Sequence, residues 1–151
     1  MKHILEIGPG INPMHHRHGV QLQHLAEDRR VPVLENNETY TALDQPLVDF
    51  SHRIWQVTKE AHGDRVQYVN GDRANLPFTD ESFDELVSLG SYVNDPGLPI
   101  EFKRVLKLGG FLRIGTPTLN LSDFLVTWGV RLERLGFQRM DEETHSYPYS
   151  Q

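Results

Sequence analysis

Cysteine is absent from this chain of 151 residues. That excludes disulfides, thiolate-ligated zinc and a thiolate nucleophile. Long apolar runs are absent too: none approaches the ~20 residues of a membrane span. Positive charge is in the minority, with 15 Lys and Arg against 21 Asp and Glu, or −6 with neutral histidine. Such a chain lacks the surplus of cations that drives non-specific nucleic-acid binding. Arg29-Arg30 and the pair Arg131 and Arg134 are too few to make a basic stripe. Repeats and linkers are also missing. What remains, 38% hydrophobic and 24% charged, is an ordinary globular composition. The length argues for one domain over 1–151. Met1 stands just before strand-like sequence, so no signal peptide is expected. A cytoplasmic location without membrane or nucleic-acid partners is the expectation.

Strand and helix patterns alternate along the chain. "KHILEI" (2–7), "YTALD" (40–44), "RVQYVNGD" (65–72), "FDELVSLG" (83–90) and "FLRIGTP" (111–117) read as strands. "FQRMDE" (137–142) offers a sixth. Residues 47–63 read as a helix ending on Gly63, and 99–110 as a helix stopped by Gly109-Gly110. Residues 120–136 carry Leu121, Phe124, Leu125, Trp128, Leu132 and Leu135 on one helical stripe, with Gly136 as terminator. The tail "THSYPYSQ" reads as irregular. This alternation predicts an α/β fold: a doubly wound, mostly parallel sheet with helices on both faces. Ligands of such sheets bind outside the carboxyl ends of the strands. The residues after each strand are therefore the candidates.

After the first strand comes Glu6-Ile7-Gly8-Pro9-Gly10. Glycines there let the backbone turn sharply and approach a ligand. A dinucleotide fingerprint would place its third glycine at Pro13, which disfavours a nicotinamide cofactor. Asn12-Pro13 reads instead as an N-cap and first helical residue. A plain strand-to-helix turn is the alternative. Asp44, at the end of the second strand, can accept hydrogen bonds from ribose hydroxyls. Glu35, after the apolar "VPVL", competes for that role; Asp44 is preferred because "YTALD" is the better strand. The path from Gly10 to Asp44 exceeds the roughly 20 residues usual for this arrangement, so the connection carries extra sequence. After the third strand come Gly71, Asp72 and Arg73. The Asp72 carboxylate can accept from an adenine amine, with Leu76 and Phe78 as apolar walls. An ordinary Asn-Gly-Asp turn is the alternative there.

Histidines crowd between His15 and His24. His15 and His18 share one helix face at i,i+3, but no further ligands accompany them, so no metal site is predicted. A solvated loop is the plainer reading. In a third, His15 or His16 faces a reacting group as base or orienter.

At this point four segments resemble a known family. "LEIGPG", "GDRANLPFTDESFDELVS", "YVNDP" and "EFKRVLKLGGFLRIGTP" follow, in order, the motifs of class I S-adenosylmethionine-dependent methyltransferases of the small-molecule type. The resemblance covers about 2–117 and implies a Rossmann-like fold. It implies S-adenosyl-L-methionine as cofactor and S-adenosyl-L-homocysteine as product. Glu6, Gly8 and Gly10, in the segment with Ile7 and Pro9, would hold the methionine and ribose side. Asp44 would take the ribose hydroxyls. Asp72 would meet adenine, helped by the backbone of Arg73 beside Gly71. Leu89 and Gly90 would lie along the cofactor. Tyr92, with Asn94 and Asp95, would stand near the transferred methyl, where Tyr92 either orients an acceptor or packs over the cofactor; with His15 and His16 it makes up the catalytic candidates. Departures are Asn12 for a frequent glycine, Arg73 for alanine, Tyr92 for histidine and Leu108 for proline. "GSYV" also lacks the Asn-Pro-Pro-aromatic tetrapeptide of base-amine methyltransferases.

The reading is thus a methyltransferase acting by in-line displacement on a small-molecule or peptide-borne acceptor. A sulfonium carries no phosphate and needs no cationic clamp; the enzyme mainly aligns the reactants and excludes water. Two alternatives stay open: a non-catalytic cofactor-binding module or partner subunit, and an RNA methyltransferase that needs a partner. After residue 117 little chain remains, so a shortened C-terminal strand hairpin is expected. An incomplete sheet leaves an edge a second copy can cover, so a homodimer is expected.

Overall fold

The computed structural model describes residues 1–9, 23–25, 29–31, 34–45, 53–89, 97–115, 128–140 and 147–151. Its elements are β1 (Lys2–Ile7), β2 (Gln23–Leu25), β3 (Arg29–Val31), β4 (Glu38–Asp44), α1 (Arg53–His62), β5 (Val66–Asn70), β6 (Phe83–Leu89), α2 (Leu98–Val105), β7 (Leu106–Gly115), α3 (Val130–Arg134), β8 (Gln138–Arg139) and β9 (Tyr147–Ser150). Seven strands form one sheet in the order β5-β4-β1-β6-β7-β9-β8. The first five run parallel; β9 is antiparallel to β7 and β8 to β9. Strand order reverses beside β1: the chain moves outward through β4 and β5, then returns to β6 and β7 on the other side.

β1 sits at the centre because its sequence suits burial on both faces. Ile4, Leu5, Glu6 and Ile7 are all buried, as expected of a parallel strand covered on two sides. Alternation sends Leu5 and Ile7 to one face, with Leu43, Leu86, Leu112 and Ile114. There they meet Leu98, Phe102 and Val105 of α2 and Leu132 of α3. Trp128 stacks on Phe102 at 6.4 Å between ring centroids. The opposite face carries Ile4, Tyr40, Ala42, Val66 and Val87 against Trp55 of α1. Helices therefore cover both faces, and the α/β, Rossmann-like architecture is the one expected.

Three local expectations change. The helix expected over 99–110 ends at Val105: Leu106 is already extended at φ −87°, ψ 133°. β7 instead begins before the glycines, and its register against β6 shifts between Phe83 and Glu85. The Gly109-Gly110 pair belongs to that irregularity. Gly109 is left-handed at φ +77°, and a Cβ on Gly110 would stand 2.7 Å from Leu106 Cγ and from the Lys107 carbonyl oxygen. The tail is not wholly irregular either. Tyr147–Ser150 pairs with β7, Leu112 facing Tyr149. The closing hairpin is thus present and short, with two residues in β8 and four in β9. Finally, the long connection between β1 and β4 contains the antiparallel pair β2–β3, which periodicity did not reveal.

α1 ends at His62, where Gly63 follows at φ +58°. The chain leaves α3 through Leu135 and Gly136, the latter at φ +94°. Both glycines act as the terminators expected. Residues 47–52 and 120–127 of the two predicted helices lie outside the described residues. Among the described residues no helix is long and apolar enough to cross a membrane.

Candidate functional site at the carboxyl edge

The parallel strands bring Ile7, Asp44, Asn70 and Leu89 to one edge, beside the point of strand reversal. Gly8 leaves β1 at φ +68°, a conformation that glycine adopts without penalty. Its N–H donates to the Leu43 carbonyl at 2.9 Å, and the Gly71 N–H donates to the Asp44 carbonyl at 2.9 Å. These two bonds extend the pairing of three neighbouring strands by one step beyond their ends. They set Gly8, Asp44 and Gly71 side by side. A narrow cleft of about 10 Å³, lined by Ile7, Gly8, Leu43, Asp44, Gln45, Gly71 and Arg73, opens between them.

Gly71 is a tight position. An added Cβ would meet Leu43 Cδ1 at 3.2 Å and Pro77 Cγ at 3.4 Å. The next residue, Asp72, is exposed and organises its own turn. Its Oδ1 accepts from the Ala74 N–H at 2.8 Å, and its carbonyl from the Asn75 N–H at 3.2 Å. The turn reading and the ligand reading of Asp72 are therefore compatible: Oδ1 serves the turn and leaves the second oxygen for another donor. Asp44 is half-buried, and its Oδ1 accepts from the Gln45 N–H at 2.8 Å.

Glu6 and Pro9 are buried at the same end of β1. Tyr40 donates its hydroxyl to Glu6 Oε2 at 2.6 Å. This partner could not be foreseen from periodicity, because it needs the β1–β4 register that sets Ile4 opposite Tyr40.

Two candidates stand elsewhere. Glu35 lies before β4, at the strand's amino end. It is exposed, its carbonyl accepts from the Glu38 N–H at 3.0 Å and from Arg65 Nη1 at 2.7 Å. The whole length of β4 separates it from Asp44. Phe78 is also displaced from the edge. Residues after Gly71 run back across the sheet to reach the amino end of β6, and Phe78 packs edge-on against Phe83 at 5.0 Å. Pro77, which the sequence did not single out, is the apolar residue beside Gly71. Leu76 is buried in the core cluster that also holds Leu43 and Ile7. A larger hollow, about 250 Å³, opens over the amino halves of the strands and is lined by His3, Thr39, Gln67, Phe78 and Phe83. It lies at the end of the sheet where topology places no ligand crevice, so the smaller cleft is the candidate site.

Leu89 ends β6, paired in register with Gly115. Gly10, Asn12, Pro13, Met14, His15, His16, His18, Gly90, Tyr92, Asn94 and Asp95 lie outside the described residues. His24 is described only as part of β2. Among the described residues no cluster of His, Asp or Glu has a metal-binding arrangement.

The strand order, the left-handed glycine after β1 and the acidic residue that ends β4 make this edge the candidate ligand site of a Rossmann-like sheet. Residues 33–114 match the methyltransferase domain family, and the chain belongs to it. It is 39% identical over 95 residues to 2-methyl-6-phytyl-1,4-hydroquinone methyltransferase 1, chloroplastic, of Oryza sativa subsp. japonica. That match covers 59% of this chain and 28% of the rice protein. In three dimensions the chain is similar to the 1,6-didemethyltoxoflavin-N1-methyltransferase of Burkholderia thailandensis, solved with S-adenosylhomocysteine. The TM-score is 0.68 at 13% identity, covering 98% of this chain and 70% of that one. A SAM-dependent methyltransferase from Aquifex aeolicus gives a TM-score of 0.65 at 14% identity, covering 99% and 80%. The chain spans under a third of the rice protein's length.

Proposed function

We propose that the protein binds S-adenosyl-L-methionine at the carboxyl edge and transfers its methyl group to a small-molecule acceptor. The observation that carries this reading is the alignment of Gly8, Asp44 and Gly71 by backbone hydrogen bonds across three parallel strands. The donor set suits the cofactor. A ribose offers two hydroxyls to the Asp44 carboxylate, and the second Asp72 oxygen suits the adenine amine. Gly8 admits the ligand close to the backbone, with Ile7, Pro9 and Gly10 completing the turn. Arg73 contributes its backbone, and Pro77 supplies apolar surface. Leu89 and Gly90 follow along the cofactor. Glu6 faces the amino-acid end. When bound, the cofactor supplies an electrophilic methyl on a sulfonium; the chain holds it in line with the acceptor and keeps water out.

Family membership supports transfer as the activity, and the compounds in the names of similar proteins, a hydroquinone and 1,6-didemethyltoxoflavin, support a small-molecule substrate. The acceptor-facing roles of Tyr92, His15 and His16 follow from their sequence positions after β6 and β1. We further propose that the 151 residues act as one cytoplasmic domain and pair as a homodimer through the short outer strands.

The test is calorimetric titration with S-adenosyl-L-homocysteine, then transfer of labelled methyl to a panel of small aromatic and quinol acceptors. Binding in the micromolar range, about −8 kcal/mol, with a labelled product, is expected. No binding overturns the reading. Tight binding without product across the panel replaces catalysis by the role of a binding module.

A further inference from the structure

We infer that Tyr40 is a positioning residue: its hydroxyl holds the Glu6 carboxylate in the orientation that meets the ammonium of the cofactor's amino-acid end. This rests on the function proposed above. Both side chains are completely buried, and the hydroxyl donates to Glu6 Oε2 at 2.6 Å. That is the length of a charge-assisted O–H···O⁻ bond. The register pairs Ile4 with Tyr40 and Glu6 with Ala42. Tyr40 is therefore the diagonal cross-strand neighbour of Glu6 on one face of the sheet, within reach of a long side chain.

Packing does not call for an acid there. The neighbours on that face, Ile4, Ala42 and Val87, are apolar and buried. A carboxylate taken out of water costs several kcal/mol unless hydrogen bonds and an opposite charge compensate. Its place, two residues before the left-handed Gly8, puts it at the strand end where the ligand crevice opens. A carboxylate at that point recognises a cationic group, and the cofactor's α-ammonium is one. A carboxylate on a flexible side chain pre-organises such recognition only if one oxygen is fixed. Tyr40 fixes it from the adjacent strand, through a rigid ring that the core already holds. Tyr40→Phe removes one oxygen and leaves the packing.

The experiment titrates wild type, Tyr40→Phe, Glu6→Gln and the double variant with two ligands. S-adenosyl-L-homocysteine carries the amino-acid end; methylthioadenosine keeps nucleoside and sulfur but lacks it. Tyr40→Phe is expected to weaken the first about tenfold and the second by less than about twofold. In the Glu6→Gln background the Tyr40 change is expected to add no further selective loss. Equal weakening of both ligands would show a general loosening of the core and overturn the inference, as would unchanged affinity for the first. Should Tyr40→Phe fail to fold, Tyr40→Met, which also removes the hydroxyl, makes the same comparison of the two ligands. Failure of the wild type to bind either ligand would strike the proposed function itself, before any variant is compared.

Discussion

Glu101 and Arg104, one turn apart on α2, grip the backbone of the segment that leads from β5 to β6. Glu101 Oε2 accepts from the Leu76 N–H at 2.8 Å, while Arg104 Nη2 donates to the Leu76 carbonyl at 3.0 Å. Arg104 Nη1 reaches the Phe78 carbonyl at 2.8 Å and Asp80 at 2.9 Å. The two side chains also bond each other, Nε to Oε1 at 2.9 Å and Nη2 to Oε2 at 2.8 Å. One helix turn thus fixes Leu76, Pro77 and Phe78, and through Pro77 the wall beside Gly71.

Arg104→Ala is expected to lower the unfolding free energy by about 2–3 kcal/mol, because several charge-assisted bonds and two carbonyl partners go together. Arg104→Lys should recover little, since an ammonium cannot reproduce the planar fork. Urea denaturation measures both. A loss below about 0.5 kcal/mol, the range of an ordinary surface change, would show that the clamp carries no stability.

The same clamp shows what the sequence could reveal. The blocks "LPFTD" and "EFKRV" are recognisable separately, yet their contact is a long-range event between Leu76 and Glu101. The central strands were legible because Ile4 to Ile7 and the apolar residues of β6 announce burial on both faces. The residues at their ends then followed from topology. The end of α2 was not legible, since "VLKL" suits helix and strand equally and only pairing with Phe83 assigns Leu106 to β7. β9 was missed for a related reason: its proline and tyrosines look irregular until Tyr149 is set opposite Leu112. Phe78 was misplaced because no local pattern tells which way a connection crosses a sheet. Tyr40 was legible as a core strand residue but not as the donor to Glu6.

Acid should act through two carboxylates. The hydrogen bond from Arg104, helped by the Leu76 N–H, holds the Glu101 carboxyl below its ordinary range against the opposing effect of burial. At Asp84 burial works upward, but bonds from Lys107 and from the His3 N–H outweigh it and the carboxyl also sits low. A folded-state pKa below the unfolded one gives stability that is complete above the unfolded value, about 4 for carboxylates. It is lost as pH falls through the folded value. Stability is therefore expected to decline below about pH 4, and the double variant Glu101→Gln, Asp84→Asn should show a shallower decline. Denaturation midpoints at several pH values measure this. Equal slopes for the two proteins would remove these carboxylates as the cause.

Asp72 separates turn from ligand. Asp72→Asn keeps an oxygen for the Ala74 N–H and should leave stability within about 0.5 kcal/mol. It presents an amide N–H₂ where the second carboxylate oxygen stood, facing a donor with a donor. Affinity for S-adenosyl-L-homocysteine should fall about tenfold, or 1.4 kcal/mol. Asp72→Ala should lose both the turn and the ligand. Gly71→Val, crowding Leu43 and Pro77, should weaken binding as well. Full affinity in Asp72→Asn, measured by calorimetry, would reduce Asp72 to a turn residue.

Glu85 joins three strands on the α1 side of the sheet, and its two cations are not equivalent. Lys2 of β1 approaches Oε2 at 2.6 Å and is 41% exposed, with Glu38 a second acid at 3.8 Å. Arg113 of β7 approaches Oε1 at 3.1 Å, is 21% exposed, and lies over the Phe111 ring at 4.6 Å. Glu85 itself is buried, so its removal takes one buried acceptor from Arg113 and from Lys2 together. Removing one partner of a buried pair costs about 3–5 kcal/mol; partial exposure of both cations lowers the expectation for Glu85→Ala to about 2–3 kcal/mol. Arg113→Ala should cost about half as much, because Lys2 still faces Glu85 while the guanidinium's bond to Glu85 and its ring contact go. Lys2→Ala should cost least, since Lys2 is the more exposed of the two cations. A double-mutant cycle of Glu85 with each cation, read by urea denaturation, measures the order. A larger coupling to Lys2 than to Arg113 would contradict the assignment of Arg113 as the partner that keeps this acid inside the sheet.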